Sequence, residues 1–130
     1  MSVGLVLVTH DGIGRVLLAE AERLLGRFTA QVRVLGVETG DDPGSAQQSV
    51  AAALQEVDAG DGALLLTDIF GATPSNIAHR CVGSRDRQVV HGLNLAMLMR
   101  AHNYAHLPLG ELVEKIVDGG RQSIFPGEPD

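Results

Sequence analysis

Short apolar runs bounded by turn residues alternate with stretches of helical periodicity along this chain from end to end. That order is the pattern of parallel strands joined by helical crossovers, and it predicts an α/β fold with helices on both faces of one sheet. Strands are expected over residues 3–9, 32–37 and 63–67, with a short fourth at 88–91. Between them, Ile13, Val16, Leu17, Ala21, Leu24 and Leu25 line one face of a helix over 12–25 that Gly26 closes. A second helix carries Ala46, Val50, Ala53, Leu54 and Val57, and Ser45-x-x-Gln48 reads as its capping box. Further helices are predicted at 74–82 and 94–101, and Leu109, Leu112, Val113, Ile116 and Val117 mark a last one that stops at Gly119-Gly120. Residues 123–125 are expected to add a short edge strand and 126–130 a loose tail, while the loop 38–44 reads as a solvated turn.

With 130 residues the chain fits one domain, 1–130, large enough for a core without metals or disulfides. Only 3% of residues are aromatic, which removes the stacking platforms that single-stranded nucleic acid needs, and a net charge of −6 opposes binding to nucleic acid or an anionic membrane. A basic protein partner remains compatible. Cys81 is the one cysteine, so a buried thiol in a reducing compartment is expected in place of a disulfide framework. No basic leader precedes an apolar core at the N-terminus, and no apolar run approaches the roughly 18 residues needed to span a bilayer. The expectation is a cytoplasmic protein with no membrane insertion.

Two strands run out into polar residues that can do chemistry. The first ends at Thr9-His10 and the third at Thr67-Asp68, and in open α/β sheets ligands collect at the carboxyl ends of strands. If the first and third strands are neighbours, as in the order 2-1-3-4, His10 and Asp68 meet at the crevice where the winding reverses. A carboxylate on one ring nitrogen fixes the tautomer and leaves the other nitrogen's lone pair free, which makes His10 an oriented nucleophile. After Asp68 comes Ile69-Phe70-Gly71-Ala72-Thr73-Pro74-Ser75-Asn76, a turn of small residues leading into a helix. Thr73 suits the N-cap and Pro74 the first helical position, and such a start aims unpaired amides and the positive end of the helix dipole at one point. Gly71, Ala72 and Thr73 are therefore the candidate phosphate-binding residues, with Thr9, Asn76 and Asn94 as candidates for lining the site. Helix capping alone explains Thr73-Pro74 as well, and a lone histidine at a strand end can be a hydrogen-bonded surface residue.

Competing chemistries have less behind them. Gly12-Ile13-Gly14 follows a strand, but Leu17 stands where a dinucleotide fingerprint needs its third glycine, and there is no Gly-Lys-Ser/Thr for a P-loop. His102 and His106 have the i,i+4 spacing of a metal pair without a third ligand in view, and His79 and His91 lie apart from them; no metal is expected. No G-x-S-x-G supports a serine hydrolase.

Over roughly its whole length the chain resembles the enzyme IIA component of the mannose-type phosphoenolpyruvate-dependent phosphotransferase system. Three ordered blocks carry the resemblance: Gly-x-Val-x-Val-Thr-His10, then Leu-Leu-Thr-Asp68-x-x-Gly71-Ala72-Thr73-Pro74-x-Asn76, then Gly92-Leu93-Asn94-Leu95-Ala96-Met97-Leu98. The resemblance implies a doubly wound sheet of four parallel strands with a fifth, antiparallel strand near the C-terminus, exchanged between subunits in some members, and a homodimer. It implies that His10 takes a phosphoryl group through Nε2 from the phosphohistidine of the carrier HPr, assisted by Asp68, and passes it to a IIB component, with no cofactor. The chain departs from the family's pattern at Ala96, where members often carry proline, and at Ala72, where many have a second glycine; the amide of residue 72 survives that change. A regulatory switch in an incomplete system needs the same histidine, and the phosphoryl-donor subunit of dihydroxyacetone kinase shares the fold and a histidine after the first strand. A doubly wound binding domain in which His10 is incidental is the plainest alternative.

Overall fold

The structure, a computed structural model, describes residues 2–129, so Met1 and Asp130 lie outside it. Four strands alternate with five helices: β1 (Gly4–His10), α1 (Ile13–Leu25), β2 (Val32–Val37), α2 (Pro43–Val57), β3 (Ala63–Thr67), α3 (Thr73–Arg80), β4 (Arg87–Val90), α4 (Leu95–Tyr104) and α5 (Leu109–Gln122). All strand pairs are parallel, as the alternation predicts, and the sheet order is β2-β1-β3-β4, the order in which the ends of the first and third strands are neighbours. The side-chain alternation of a strand divides the core between the two faces. Leu5, Leu7, Leu64 and Leu66 point to one side, where they cluster with Met97, Leu98, Leu112 and Ile116 of α4 and α5. Val6, Val8 and Leu65 point to the other, against Val50, Leu54 and Val57 of α2 and Ile77 of α3. Because β1 and β3 are buried on both faces, their sequences are continuous apolar runs, whereas every residue of the edge strand β4 is only half-buried.

Several boundaries differ from the sequence expectation, each for a local reason. Residues 123–125 form no strand. The helix before them continues through Gly119 and Gly120 to Gln122, and those glycines make room for α4 side chains: a Cβ on Gly119 would strike the Arg100 side chain, and one on Gly120 would lie 2.7 Å from Met97 Cγ. Ser123 then caps the helix, its hydroxyl donating to the Gly120 carbonyl at 2.7 Å, and Ile124 and Phe125 stand exposed. Residues 126–129 are exposed and without regular structure, and the last residue of the expected tail, Asp130, is outside the described residues. In α1 the expected apolar face is only partly used. Ile13, Val16 and Leu24 are exposed, while Gly14 and Ala21 are buried and Leu17 and Leu18 pack on the core, since glycine and alanine let the helix axis approach the sheet. Helix α2 starts two residues before Ser45, with Pro43 in its first turn and the Asp42 carboxylate accepting the Ser45 amide at 2.9 Å; that cap replaces the expected Ser45 capping box. Cys81 is half-buried, and burial pushes its thiol above the ordinary value. Among the described residues no helix is long and apolar enough to cross a membrane.

One close approach sets the geometry between β1 and α1. Asp11 takes a φ of 37°, unusual for a residue with a side chain, and its amide donates to the Val37 carbonyl at 3.1 Å. Its own carbonyl lies against Gly36, where any Cβ would collide with it. Gly36→Ala is therefore expected to lower stability by about 1–3 kcal/mol, the usual range for forcing an extra methyl into packed structure. Urea unfolding monitored by circular dichroism checks this, and an unchanged midpoint would show that the turn yields freely.

Candidate functional site

The register of β1 on β3 pairs Val8 with Thr67, the last residue of β3, while β1 continues to His10 along β2, so Asp68 emerges beside the end of β1. One carboxylate oxygen of Asp68 joins the two ends. Asp68 Oδ2 accepts the His10 backbone amide at 3.0 Å and lies 2.7 Å from His10 Nδ1, while Oδ1 accepts the Ile69 amide at 3.1 Å. With the carboxylate ionised, Nδ1 carries a proton, so in the neutral ring Nε2 is the nitrogen with the lone pair, and it has no partner among the described residues. The exposure is asymmetric in a useful way: 45% of the imidazole is open but only 9% of the carboxylate, so the ring faces solvent from a fixed base. Burial alone would raise the Asp68 pKa, but the hydrogen bonds from the His10 amide and ring outweigh it and hold the carboxyl below the ordinary aspartate value.

His10 opens into a cleft of about 280 Å³ lined by Val37, Glu38, Thr39, Gly40, Asp41, Pro43, Thr73 and Pro74. The loop after β2, which the sequence reading took for a plain solvated turn, is thus one wall of the cleft. Asp41 braces that loop by accepting the Glu38 amide at 2.8 Å. Glu38 and Asp41 make this wall acidic, so an anion reaching His10 is better received from the opposite side, where α3 begins.

At α3 the helix begins at Thr73 itself, with Ala72 in the N-cap position and Pro74 in the first turn; the expected Thr73 cap does not form. The reason is Ser75, which is fully buried and which the sequence reading passed over. Its hydroxyl donates to the Ala72 carbonyl at 2.8 Å and accepts the Gly71 amide at 2.9 Å, closing the turn from inside. Gly71 therefore contributes through its positive φ of 86°, and its amide is already engaged. The Thr73 amide belongs to the first turn of the helix, where intrahelical partners are lacking, and it stands at the cleft with His10.

The remaining candidates are placed differently from one another. Thr9 is fully buried and does not line the cleft; its hydroxyl accepts the Gly14 amide at 2.8 Å and donates to the His10 carbonyl at 3.2 Å, which pins the turn behind the histidine. Asn76 is exposed on α3 and is not among the cleft residues. Asn94 caps α4 by accepting the Met97 amide at 3.0 Å and faces a separate cavity of about 510 Å³ beside His91 and α5. The structure thus brings His10, Asp68 and Thr73 together and leaves Asn94 elsewhere. Among the described residues no three His, Cys, Asp or Glu side chains converge as a metal site, and the ring of His102 contacts the Arg27 carbonyl.

Residues 4–117 match the family model described as PTS system fructose IIA component. The chain is 29% identical over 127 residues to the PTS system mannose-specific EIIAB component of Escherichia coli; the match takes in 95% of this chain and 39% of that protein, so the chain spans well under half the length of its relative. Its fold is similar to that of the mannose/sorbose specific IIA subunit of the phosphotransferase system from Enterococcus faecalis, with a TM-score of 0.88 and 28% identity over 100% of this chain and 98% of the other. Phosphotransferase system component EIIA from Streptococcus agalactiae is likewise similar, with a TM-score of 0.82, 25% identity, and coverage of 95% and 96%.

A carboxylate held below its ordinary pKa stabilises the fold at pH values above that range, and the contribution is lost as pH falls through the lowered value. Below about pH 3.8, the ordinary aspartate value, the wild-type chain should lose stability more steeply than Asp68→Asn, which has no carboxylate to protonate. Unfolding midpoints measured across that acid range check the difference; parallel curves would mean that His10 does not hold the carboxylate as the geometry indicates.

Proposed function

The chain belongs to the family of PTS system IIA components, and on that premise we propose that His10 accepts a phosphoryl group from the phosphohistidine of HPr and passes it to a IIB component in sugar uptake. Phosphoryl transfer within sugar phosphotransferase systems is the family's role. The observation that carries the assignment to His10 is the pairing of a half-open imidazole with a nearly buried carboxylate at 2.7 Å, Nδ1 to Oδ2. That pairing leaves Nε2 as the free nucleophilic nitrogen. The same reading takes the chain as one IIA domain working in the cytoplasm.

In the proposed step Nε2 attacks phosphorus along its lone pair while the bond to the donor imidazole breaks on the opposite side, and the donor nitrogen leaves with the electron pair. The phosphorylated imidazole is cationic as long as Nδ1 keeps its proton, and the Asp68 carboxylate beside it balances that charge. Phosphate oxygens would be met by the Thr73 amide and hydroxyl, the Ala72 amide and the positive end of α3. Little covalent work falls to the protein, so positioning and charge supply the acceleration. Run in reverse toward a second acceptor, the same geometry releases the group, and neither direction uses a metal or a nucleotide.

Given phosphoenolpyruvate, enzyme I and HPr, the protein should acquire an acid-labile phosphate that is absent from His10→Ala; undiminished labelling of that variant would overturn the assignment. Asp68→Ala is expected to fold and to slow labelling by about 10²-fold, the scale on which loss of one electrostatic partner acts in group transfer, and stopped-flow quench rates measure it. A chase with a IIB component tests the second half of the relay: the label should move, and its retention would leave His10 phosphorylated as an end state.

A further inference from the structure

The turn between β3 and α3, which the proposed function makes the receiver of phosphate, is held at its start by Asp68 and at its end by Ser75. Its middle is held by something else. Phe70 is 71% exposed, and its ring stands edge-on to His91 at 5.0 Å between centroids and to His79 at 6.3 Å. The two imidazoles meet each other, Nε2 to Nε2, at 2.9 Å. His91 Nδ1 in turn lies 2.6 Å from the hydroxyl of Thr67, the fully buried residue directly before Asp68. The histidine pair thus grips the turn from two sides, through Phe70 within it and through Thr67 at its root.

A contact between two ring nitrogens has room for one hydrogen. With both rings neutral, one Nε2–H donates to the other's lone pair; with one extra proton on the pair the same contact persists, now charge-assisted. A second proton places two N–H groups and two positive charges head to head, and the contact must open. Among the described residues neither His79 nor His91 has a carboxylate within ion-pair distance. The Asp68 carboxylate is committed to His10, Arg80 follows His79 on α3, and Arg121 of α5 lines the cavity beside His91. Burial and the neighbouring His79 already hold His91 below the ordinary histidine value.

We propose that His79 and His91 are positioning residues for the phosphate-receiving turn, holding Phe70 and Thr67 while the pair carries at most one extra proton and releasing them when it takes a second. The consequence for phosphoryl acceptance rests on the assignment of His10 as acceptor, whereas the release of the turn does not. A single ionisation gives a pH–rate limb of at most about tenfold per pH unit. Opening of the pair adds a second proton to that limb and steepens it.

The test compares initial rates of labelling by phosphorylated HPr from pH 5 to 8 in wild type, His79→Gln and His79→Ala. Glutamine keeps a hydrogen bond to His91 and has no proton to gain. His79→Ala should slow labelling several-fold at pH 8 and His79→Gln restore most of it, with an acid limb of about tenfold per pH unit against a steeper one in wild type. In unphosphorylated protein, imidazole NMR should show His79 and His91 titrating in two coupled steps, with the Phe70 ring resonances moving on the second, and a single His91 step at higher pH in His79→Gln. Parallel acid limbs in wild type and His79→Gln, or a Phe70 ring indifferent to the second step, overturn the proposal. Failure of His10 to label would overturn the phosphoryl-acceptor reading instead, and the NMR titration would still decide whether the pair holds the turn.

Discussion

Parallel pairing of β1 with β3 is the constraint from which the site is built. The register Val8↔Thr67 sets the end of β3 beside the last residues of β1, and so brings two polar residues, His10 and Asp68, to one crevice. The single oxygen Asp68 Oδ2 takes both the His10 amide and its ring nitrogen, so the carboxylate fixes where β1 stops as well as how the imidazole is turned. Ring orientation and strand end are thereby one structural fact. A histidine so held has little orientational freedom left to lose, which is the kind of contribution a scaffold makes without touching reacting atoms.

The three fully or almost fully buried polar side chains among the described residues, Thr9, Thr67 and Ser75, all lie at this same end of the sheet. Each satisfies its hydroxyl by fastening a turn: Thr9 to the Gly14 amide, Thr67 to His91, Ser75 to Gly71 and Ala72. Buried hydroxyls are costly unless bonded, and bonded ones are directional, so polar burial here converts loops into fixed geometry. The faces of the sheet are closed by apolar clusters, and its opposite end by Asp58, which accepts the Gly60 and Gly62 amides and pairs with Arg87.

Elements with strong periodicity were readable from the residues, and so was the pairing of His10 with Asp68, because both follow from where apolar runs stop. Misreadings arose where small residues carry more than one meaning. Gly119-Gly120 has the look of a helix end, yet a partner helix packed against it makes it the middle of a contact. Ile13, Val16 and Leu24 fit an apolar stripe, yet α1 packs through Gly14 and Ala21 and leaves them exposed. The sequence assigns Ser75 no role, and only its position inside the turn shows that it occupies the Gly71 amide. Asn94 sits in a block that resembles the family, but it caps a helix facing another cavity.

Sequence by itself determined a parallel sheet covered by helices and the two polar residues that stand at its crevice once β1 and β3 pair, because strand burial and crossover handedness are imposed by patterns a few residues long. Tertiary structure alone decided the rest of the site. The acidic wall from the loop after β2, the closure of the turn between β3 and α3 by a serine of the helix, and the meeting of His79 with His91 all depend on how separate segments are brought together. No local pattern encodes a distance between side chains that the chain brings together only when the helices dock on the sheet. Chemistry carried by one strand end can therefore be read along the chain, while chemistry shared between elements exists only once the fold has set their spacing.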